Sequence, residues 1–429
     1  MVHDPRRVTL DMRDTSVIEI DLSAVAHNMR LLRRIVGPAC AICPVVKADA
    51  YGLGAVRLAK CLLQAGADML AVYTADQAAE LFGAAVGGEV LVLMPLRDIA
   101  RAGGLYRALV CGRLHLSVHD ARHLEDLIRL SERYAVSIPV HVEVDTGMSR
   151  GGCNLREAPA VLEQIARHPR LRLAGLYTHF ASAERDEAQT DRQDELFEQL
   201  LREQEALIGC GCLIHAANTC ATLRHARHHK SMVRVGLAWA GYGLEAIRGG
   251  RIIAEAEQLQ PSLTWSSRIV QLKRIEAGTA VGYGSTWTAR RTSLIGLVPV
   301  GYADGYPLSL SGRDGAGGGR VAVLLDTPQG CRRAYAPVVG AVNMDQITID
   351  LTDVASSGTV WAGNLAVGTP VELISADRDA ANHLVKLADA AGTIPYEILC
   401  RLSPKIRRIY HEAPAAVEVF APAAAAVAG

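Results

Sequence analysis

The chain has 429 residues, half of them hydrophobic and 21% charged, with 45 basic and 45 acidic side chains and a formal net charge of zero. At roughly 100–200 residues per domain this length predicts two or three domains, and the composition is too apolar for a mostly disordered protein. Without a net basic field, nucleic acid and anionic membrane surfaces are not expected partners.

The first twenty residues hold no apolar run of signal-peptide length, and no stretch of about 18 uninterrupted apolar residues follows. No membrane span is expected, and a cytoplasmic location is the natural reading. Ten cysteines in a chain this long is ordinary usage. Cys40 and Cys43 form a C-x-x-C, and Cys210 and Cys212 a C-x-C, but the matching second pair that zinc requires is absent. These read as free thiols, with no metal expected.

From residue 23 to about 245, short apolar runs alternate with helical patterns. The runs are 40–48, 68–73, 89–94, 109–118, 138–145, 172–180, 213–218 and 232–238. Runs of this kind, bounded by turn residues, mark buried parallel strands. The intervening segments carry apolar residues at three- and four-residue spacing with charges opposite, as amphipathic helices do. Eight such units predict an α/β fold: an N-terminal (β/α)8 TIM-like barrel over residues 17–258. A doubly wound sheet is the runner-up, but YGLG (51–54) is not its G-x-G-x-x-G turn. Beyond residue 258 the texture becomes short, β-branched and Gly- or Pro-punctuated, which predicts a second, mainly β domain over 259–411. Residues 1–16 are expected to pack with it. GRDGAGGGR (312–320) reads as a flexible loop, and 412–429 as a disordered Ala/Pro-rich tail.

In a barrel of this type, function sits where strands end at the C-terminal face. The first run ends at Lys47, followed by Asp49 and Tyr51; the fifth at Asp145, with Arg150 just beyond; the sixth at His179. The seventh ends at Asn218 and Thr219, and the eighth carries Arg234 and continues into Gly236. A lysine closing a buried apolar strand is unusual, because an unpaired buried ammonium is costly. Either it snorkels to solvent or pairs with Asp49, or it is an amine of lowered pKa that forms a Schiff base with a carbonyl. Barrels often hold phosphate at the loops after strands seven and eight. A reactive lysine and a phosphate site in one barrel mouth suggest pyridoxal phosphate.

PVVKADAYGLG (44–54), HVEVDTGMSRGG (141–152), GLYTHFASAE (175–184), IHAANTCATLRH (214–225), VGYGSTW (281–287), VGYADGYP (300–307), VGAVNMDQITIDL (339–351) and TIPYEILCRLSPKIRR (393–408) resemble the alanine racemase family, in the family's order and over nearly the whole chain. The resemblance implies a fold-type III pyridoxal phosphate enzyme working as a head-to-tail homodimer that supplies D-alanine for peptidoglycan. It implies that Lys47 carries the cofactor and acts as one base, with Tyr283 of the facing subunit as the other. Tyr51 and Tyr396 would bind the phosphate, with Asn218, Thr219, Gly236 and Leu237 in the same cradle. Arg234 would face the pyridine nitrogen, with His179 helping to orient it. Arg150 would contact the cofactor and the substrate carboxylate. Tyr302 would stand at the substrate gate, and Met344 would offer its backbone N–H to the substrate.

Four positions depart from the family pattern. Glu143 stands where many relatives carry a carbamylated lysine, and would support Arg150 or be a strand residue without that tie. Asn343 replaces a common cysteine, Leu53 a frequent histidine and Leu308 a frequent arginine. These motivate a serine or broad-specificity racemase as the alternative, followed by a decarboxylase of the same fold type and a non-catalytic pyridoxal phosphate carrier. His225, His228 and His229 have metal-face spacing but read as a solvated helix end, given their basic neighbours.

Overall fold

Buried strands dictate the N-terminal architecture. The computed structural model describes residues 14–243, 247, 251–313, 318–327, 330–356 and 365–412. After β1 (Ser16–Asp21), parallel strands β2 (Ala41–Pro44), β3 (Met69–Val72), β4 (Glu89–Val92), β5 (Leu114–Val118) and β6 (Ile138–Asp145) follow, each separated from the next by helix. A two-residue strand, β7 (Cys153–Asn154), pairs with the end of β6. Then come β8 (Leu171–Tyr177), β9 (Leu213–His215) and β10 (Met232–Val235). The strand order β3-β4-β5-β6-β8-β9-β10-β2 makes an eight-stranded parallel path. Its two ends meet where Val45 bridges Ala71 and the Val46 amide donates to the Ala71 carbonyl at 2.8 Å. Every residue of β3, β5 and β10 is buried, as expected of strands covered on both faces.

The helices close over this barrel for readable reasons. Helix Ala121–Tyr134 starts where Asp120 accepts from the His123 amide at 2.7 Å, and ends at Ala135 in the left-handed region. Its buried Leu124, Leu127 and Leu130 form one face, each worth about 1.5–3 kcal/mol.

The second domain comprises β11 (Leu263–Arg268), β12 (Gln271–Ile275), β13 (Ala280–Val281), β14 (Trp287–Thr288), β15 (Ser293–Val298), β16 (Arg320–Thr327), β17 (Gly330–Pro337), β18 (Ile347–Asp350), β19 (Pro370–Ile374) and β20 (Arg407–His411). A six-stranded sheet runs β17-β16-β19-β11-β1-β20, beside a three-stranded sheet β12-β15-β18 and the pair β13-β14.

Several details differ from the sequence reading. β1 lies in the second domain's sheet, antiparallel to β11 and parallel to β20. Residues 17–21 therefore belong to that sheet, and the chain enters the barrel domain after Asp21. The run 109–118 begins as the end of helix Gly103–Val110, so the strand is only Leu114–Val118. His228 and His229 are buried rather than solvated: His228 Nδ1 lies 3.1 Å from Asp194 Oδ2, and His229 Nε2 lies 2.8 Å from the Thr222 carbonyl. Residues 1–13, 314–317 and the tail from 413 lie outside the described residues. Among those described, no helix is long and apolar enough to cross a membrane. Among the described residues, no group of three or more His, Cys, Asp or Glu is placed to hold a metal ion. Burial pushes the Cys43 thiol up to about 12 and Cys40 up to about 11.

Candidate active site at the barrel mouth

Lys47 follows β2 on a backbone that is pinned and then sharply turned. The Val45 amide donates to the Val235 carbonyl at 2.8 Å, and Trp239 Nε1 donates to the Val45 carbonyl at 3.2 Å. The next four residues, Ala48, Asp49, Ala50 and Tyr51, all take left-handed φ values of 52°, 55°, 52° and 60°. Such residues cost about 1–2 kcal/mol each, and strain of this kind persists only where surroundings enforce it. Here the Ala50 amide donates to the Val46 carbonyl at 2.9 Å, Asp49 Oδ1 accepts from the Ala55 amide at 2.6 Å, and Arg408 Nη2 donates to the Gly52 carbonyl at 2.9 Å. Asp49 thus caps the next helix and makes no ion pair with Lys47. Among the described residues, Lys47 Nζ has no hydrogen-bond partner. Its pKa is lowered, first by burial and then by the charge of Arg150. Both favour a neutral, nucleophilic amine.

The left-handed turn carries Tyr51 inward, where its buried ring stacks on Trp239 at 6.0 Å and meets Tyr396 edge-on at 5.2 Å. Tyr396 comes from helix Pro395–Arg401 of the second domain. Both hydroxyls converge on Gly236: a Cβ there would sit 2.8 Å from Tyr51 Oη and 3.0 Å from Tyr396 Oη. Thr219 Oγ1 accepts from the Gly236 amide at 2.9 Å and the Ala238 amide at 3.4 Å. Asn218 does not face this cradle with its side-chain oxygen, which caps the Ala221 amide at 3.1 Å. Burial pushes Tyr51 well up, and it pushes Tyr396 up despite hydrogen bonds with the Leu237 backbone and the Thr219 side chain. Both phenols are therefore neutral donors. Three hydroxyls and a glycine-lined backbone make a cradle suited to a phosphate group.

Arg234 is buried, and both of its terminal nitrogens meet acceptors. Nη1 donates to His215 Nδ1 at 2.7 Å and to the His215 carbonyl at 3.1 Å. Nη2 donates to the Thr178 carbonyl at 2.8 Å, to the Ala216 carbonyl at 3.3 Å, and to His179 Nδ1 at 3.1 Å. Its guanidinium lies 4.9 Å from the Tyr177 ring centroid. Burial, then the charges of Arg234, Arg150 and Lys47, hold His179 well below the usual histidine range. It is neutral and able to accept from Arg234.

Arg150 ends a loop built on Asp145, whose Oδ1 accepts from the amides of Gly147 and Met148 at 2.9 Å and of Ser149 at 3.1 Å. Burial alone would raise the Asp145 pKa, but these donors outweigh it and leave it lowered. Arg150 is exposed and has no carboxylate partner among the described residues. Glu143 turns elsewhere: its Oε2 accepts from Tyr177 Oη at 3.1 Å and lies 3.2 Å from His119 Nδ1.

Tyr283, Tyr302 and Met344 lie on the second domain and are 76%, 44% and 54% exposed. Tyr283 opens a single 3-10 turn, Tyr283–Ser285, flanked by Gly282 at φ 77°. Backbone pairing brings the other two together: the Tyr302 amide donates to the Asn343 carbonyl and the Ala303 amide to the Met344 carbonyl, both at 3.0 Å. Leu308, 59% exposed, shares this exposure. Within one chain Tyr283 forms no hydrogen bond with Lys47. Sequence reasoning missed Trp239, Tyr177, His119 and His215. The signal was available for His215, a polar residue inside an apolar run.

Residues 20–244 match the alanine racemase N-terminal domain, and residues 262–410 the alanine racemase C-terminal domain. The chain is 36% identical over 393 residues to the alanine racemase of Halothermothrix orenii, covering 91% of this chain and 96% of that one. The alanine racemase of D-cycloserine-producing Streptomyces lavendulae superimposes with a TM-score of 0.78 at 28% identity, covering 94% of this chain and 98% of that one. The Bartonella henselae alanine racemase, with covalently bound pyridoxal phosphate, gives 0.74 at 26% identity over 92% of this chain and 99% of that one. Strands, site and similarity agree: the chain belongs to the alanine racemase family, whose members are isomerases.

Proposed function

We propose that the chain racemises alanine with pyridoxal phosphate as cofactor, as a cytoplasmic homodimer with shared sites, and supplies D-alanine for peptidoglycan. One observation carries the reading: a half-buried lysine with no ionic partner among the described residues, its pKa lowered, shares the barrel mouth with a hydroxyl-lined cradle at Gly236 and a buried arginine. The donor set fits the cofactor. Tyr51, Tyr396, Thr219, Gly236 and Leu237 would hold its phosphate, Lys47 its aldehyde carbon, and Arg234 its ring nitrogen, with His179 beside the ring. When bound, the cofactor acidifies the substrate Cα–H by delocalising the resulting charge.

Each remaining role falls to a residue of the chain. Lys47, neutral when deprotonated, takes or returns the Cα proton on one face. Tyr283 does the same on the opposite face, and two opposed bases avoid turning the substrate, each contributing about 10²–10⁴-fold. Arg150, with no carboxylate partner among the described residues, is available for the substrate carboxylate, with the Met344 amide as a second donor. Tyr302 narrows the entrance. Arg234 opposite the ring nitrogen disfavours its protonation by like charge, which restrains side reactions such as transamination. The exposure of Tyr283, Tyr302 and Met344 supports a second copy covering them.

Complementation tests this. Lys47→Ala and Tyr283→Phe should each abolish racemisation of alanine. Mixing the two after dissociation should restore about a quarter of wild-type activity, because only heterodimers regain one intact site. No recovery on mixing, with dimers confirmed, would refute the shared site. Serine remains the rival substrate because Leu308 leaves an exposed, uncharged side chain where the family pattern has a frequent arginine.

A further inference from the structure

A line of imidazoles runs through the barrel interior from Arg234 toward the opposite rim. His215 Nε2 lies 2.9 Å from His141 Nδ1, and His141 Nε2 lies 2.9 Å from His115 Nδ1. His115 Nε2 lies 3.4 Å from Oε2 of Glu89, the half-exposed first residue of β4. All three rings are buried.

The proton positions along this line are determined. A guanidinium has donors only, so His215 Nδ1, 2.7 Å from Arg234 Nη1, must accept. The His215 proton then sits on Nε2 and is donated to His141 Nδ1. The same logic puts the His141 proton on Nε2, donated to His115 Nδ1, and leaves the His115 proton on Nε2, facing the Glu89 carboxylate. The chain is one-way, from a buried cation to a rim anion. It carries no proton into the site, because Arg234 is a permanent donor at its inner end.

The fold makes room for it. A Cβ on Gly175 of β8 would lie 2.1 Å from His141 Nδ1, so only glycine admits this ring. The β6–β8 register also slips between Val140 and His141, at the ring's own position. Tyr177 stacks on His215 at 4.7 Å and 12°, fixing the ring plane. Burial holds His141 and His215 well below the usual histidine range, and the nearby His115 ring draws Glu89 below the usual carboxylate range.

We propose that Glu89, His115 and His141 are positioning residues that act on Arg234 through His215, anchoring its guanidinium and drawing its charge toward the far rim of the barrel. The inference rests on the proposed function only in assigning Arg234 to the cofactor ring nitrogen.

Long-range 1H–15N NMR of histidine-labelled protein loaded with pyridoxal phosphate reads the chain directly. All three rings should be neutral and protonated on Nε2 at pH 7.5. A cationic ring, or any of the three protonated on Nδ1, would overturn the proposal even if the protein racemises nothing. The variants then test the consequence. In His141→Gln the amide can still accept from His215 and donate to His115, so affinity for pyridoxal phosphate should stay within about twofold of wild type. His141→Leu breaks the chain and should weaken that affinity about tenfold, the upper end of one neutral hydrogen bond's worth, and alter the pH profile of the bound cofactor's visible band. Wild-type affinity and spectrum in a folded His141→Leu protein would overturn it. If His141→Leu does not fold, Glu89→Gln at the rim substitutes. A shift of the His215 ring nitrogens is expected, and an unmoved His215 is the contrary result.

Discussion

Gly236→Ala tests the cradle with a single methyl. Gly236 has φ of −97° and ψ of −101°, and the contact to read is what the new methyl meets in front of it. The new Cβ would sit 2.8 Å from Tyr51 Oη and 3.0 Å from Tyr396 Oη, and both hydroxyls must retreat by several tenths of an ångström. Each hydroxyl that no longer reaches a phosphate oxygen forfeits a charge-assisted hydrogen bond of about 1.5–3 kcal/mol. Losing both weakens pyridoxal phosphate by about 10²–10⁴-fold. The fold itself should lose no more than the usual 1–3 kcal/mol of overpacking. A visible-absorbance titration with pyridoxal phosphate reads the affinity, and thermal unfolding of the cofactor-stripped protein reads the fold. Wild-type affinity in a folded Gly236→Ala protein would refute the assignment of this cradle to phosphate.

Other outcomes follow from the same structure. His141, His179 and His215 are held neutral by burial, whereas unfolded histidine titrates near 6.5. Below that pH the unfolded chain takes up protons the native rings refuse, so stability should fall with acid by up to about 1.4 kcal/mol per pH unit per ring. Urea midpoints of cofactor-stripped protein at pH 7.5 and 5.5 measure this, and equal midpoints would contradict it. Glu143→Leu leaves His119 Nδ1 without its carboxylate and Tyr177 Oη with Ser117 alone; it should cost about 1–3 kcal/mol in unfolding free energy, with Glu143→Gln recovering most of it. Glu143 is already a carboxylate, so removing CO₂ from the buffer should leave activity unchanged, and loss of activity would reveal a carbamate elsewhere. Leu308→Arg restores the charge that the family pattern frequently has at this position. It should lower the relative rate on serine against alanine, measured as a ratio of kcat/KM; an unchanged ratio would clear Leu308 of any role in substrate choice.

Much of the fold was legible because its signal is local. Eight apolar runs became the eight barrel strands since strands buried on both faces need no partner to be recognised. Lys47 stood out because a cation closing such a run is expensive. What escaped was set by distant partners. β1 reads as the approach to the barrel, yet its partners are β11, some 250 residues on, and β20 at the end of the chain. The left-handed turn through Ala48–Tyr51 is invisible in residues that ordinarily avoid it, because its support comes from Ala55 and Arg408. His228 and His229 looked solvated beside Arg227 and Lys230, but Asp194 of helix Glu187–Glu203 draws His228 inward. Glu143 could be placed only by its distance from His119 and Tyr177, which spacing along the chain does not reveal.

Exchange of the Cα proton of alanine on both faces is the chemistry proposed for these residues. The most direct measurement is deuterium incorporation at Cα in D₂O, with chiral separation of the products, for alanine, serine and larger L-amino acids, on protein loaded with pyridoxal phosphate. L-Alanine should convert fast to deuterated D-alanine, with serine and larger substrates far slower. Bound pyridoxal phosphate without exchange of any amino acid would contradict it and point to a carrier, while serine matching or exceeding alanine would overturn the substrate assignment.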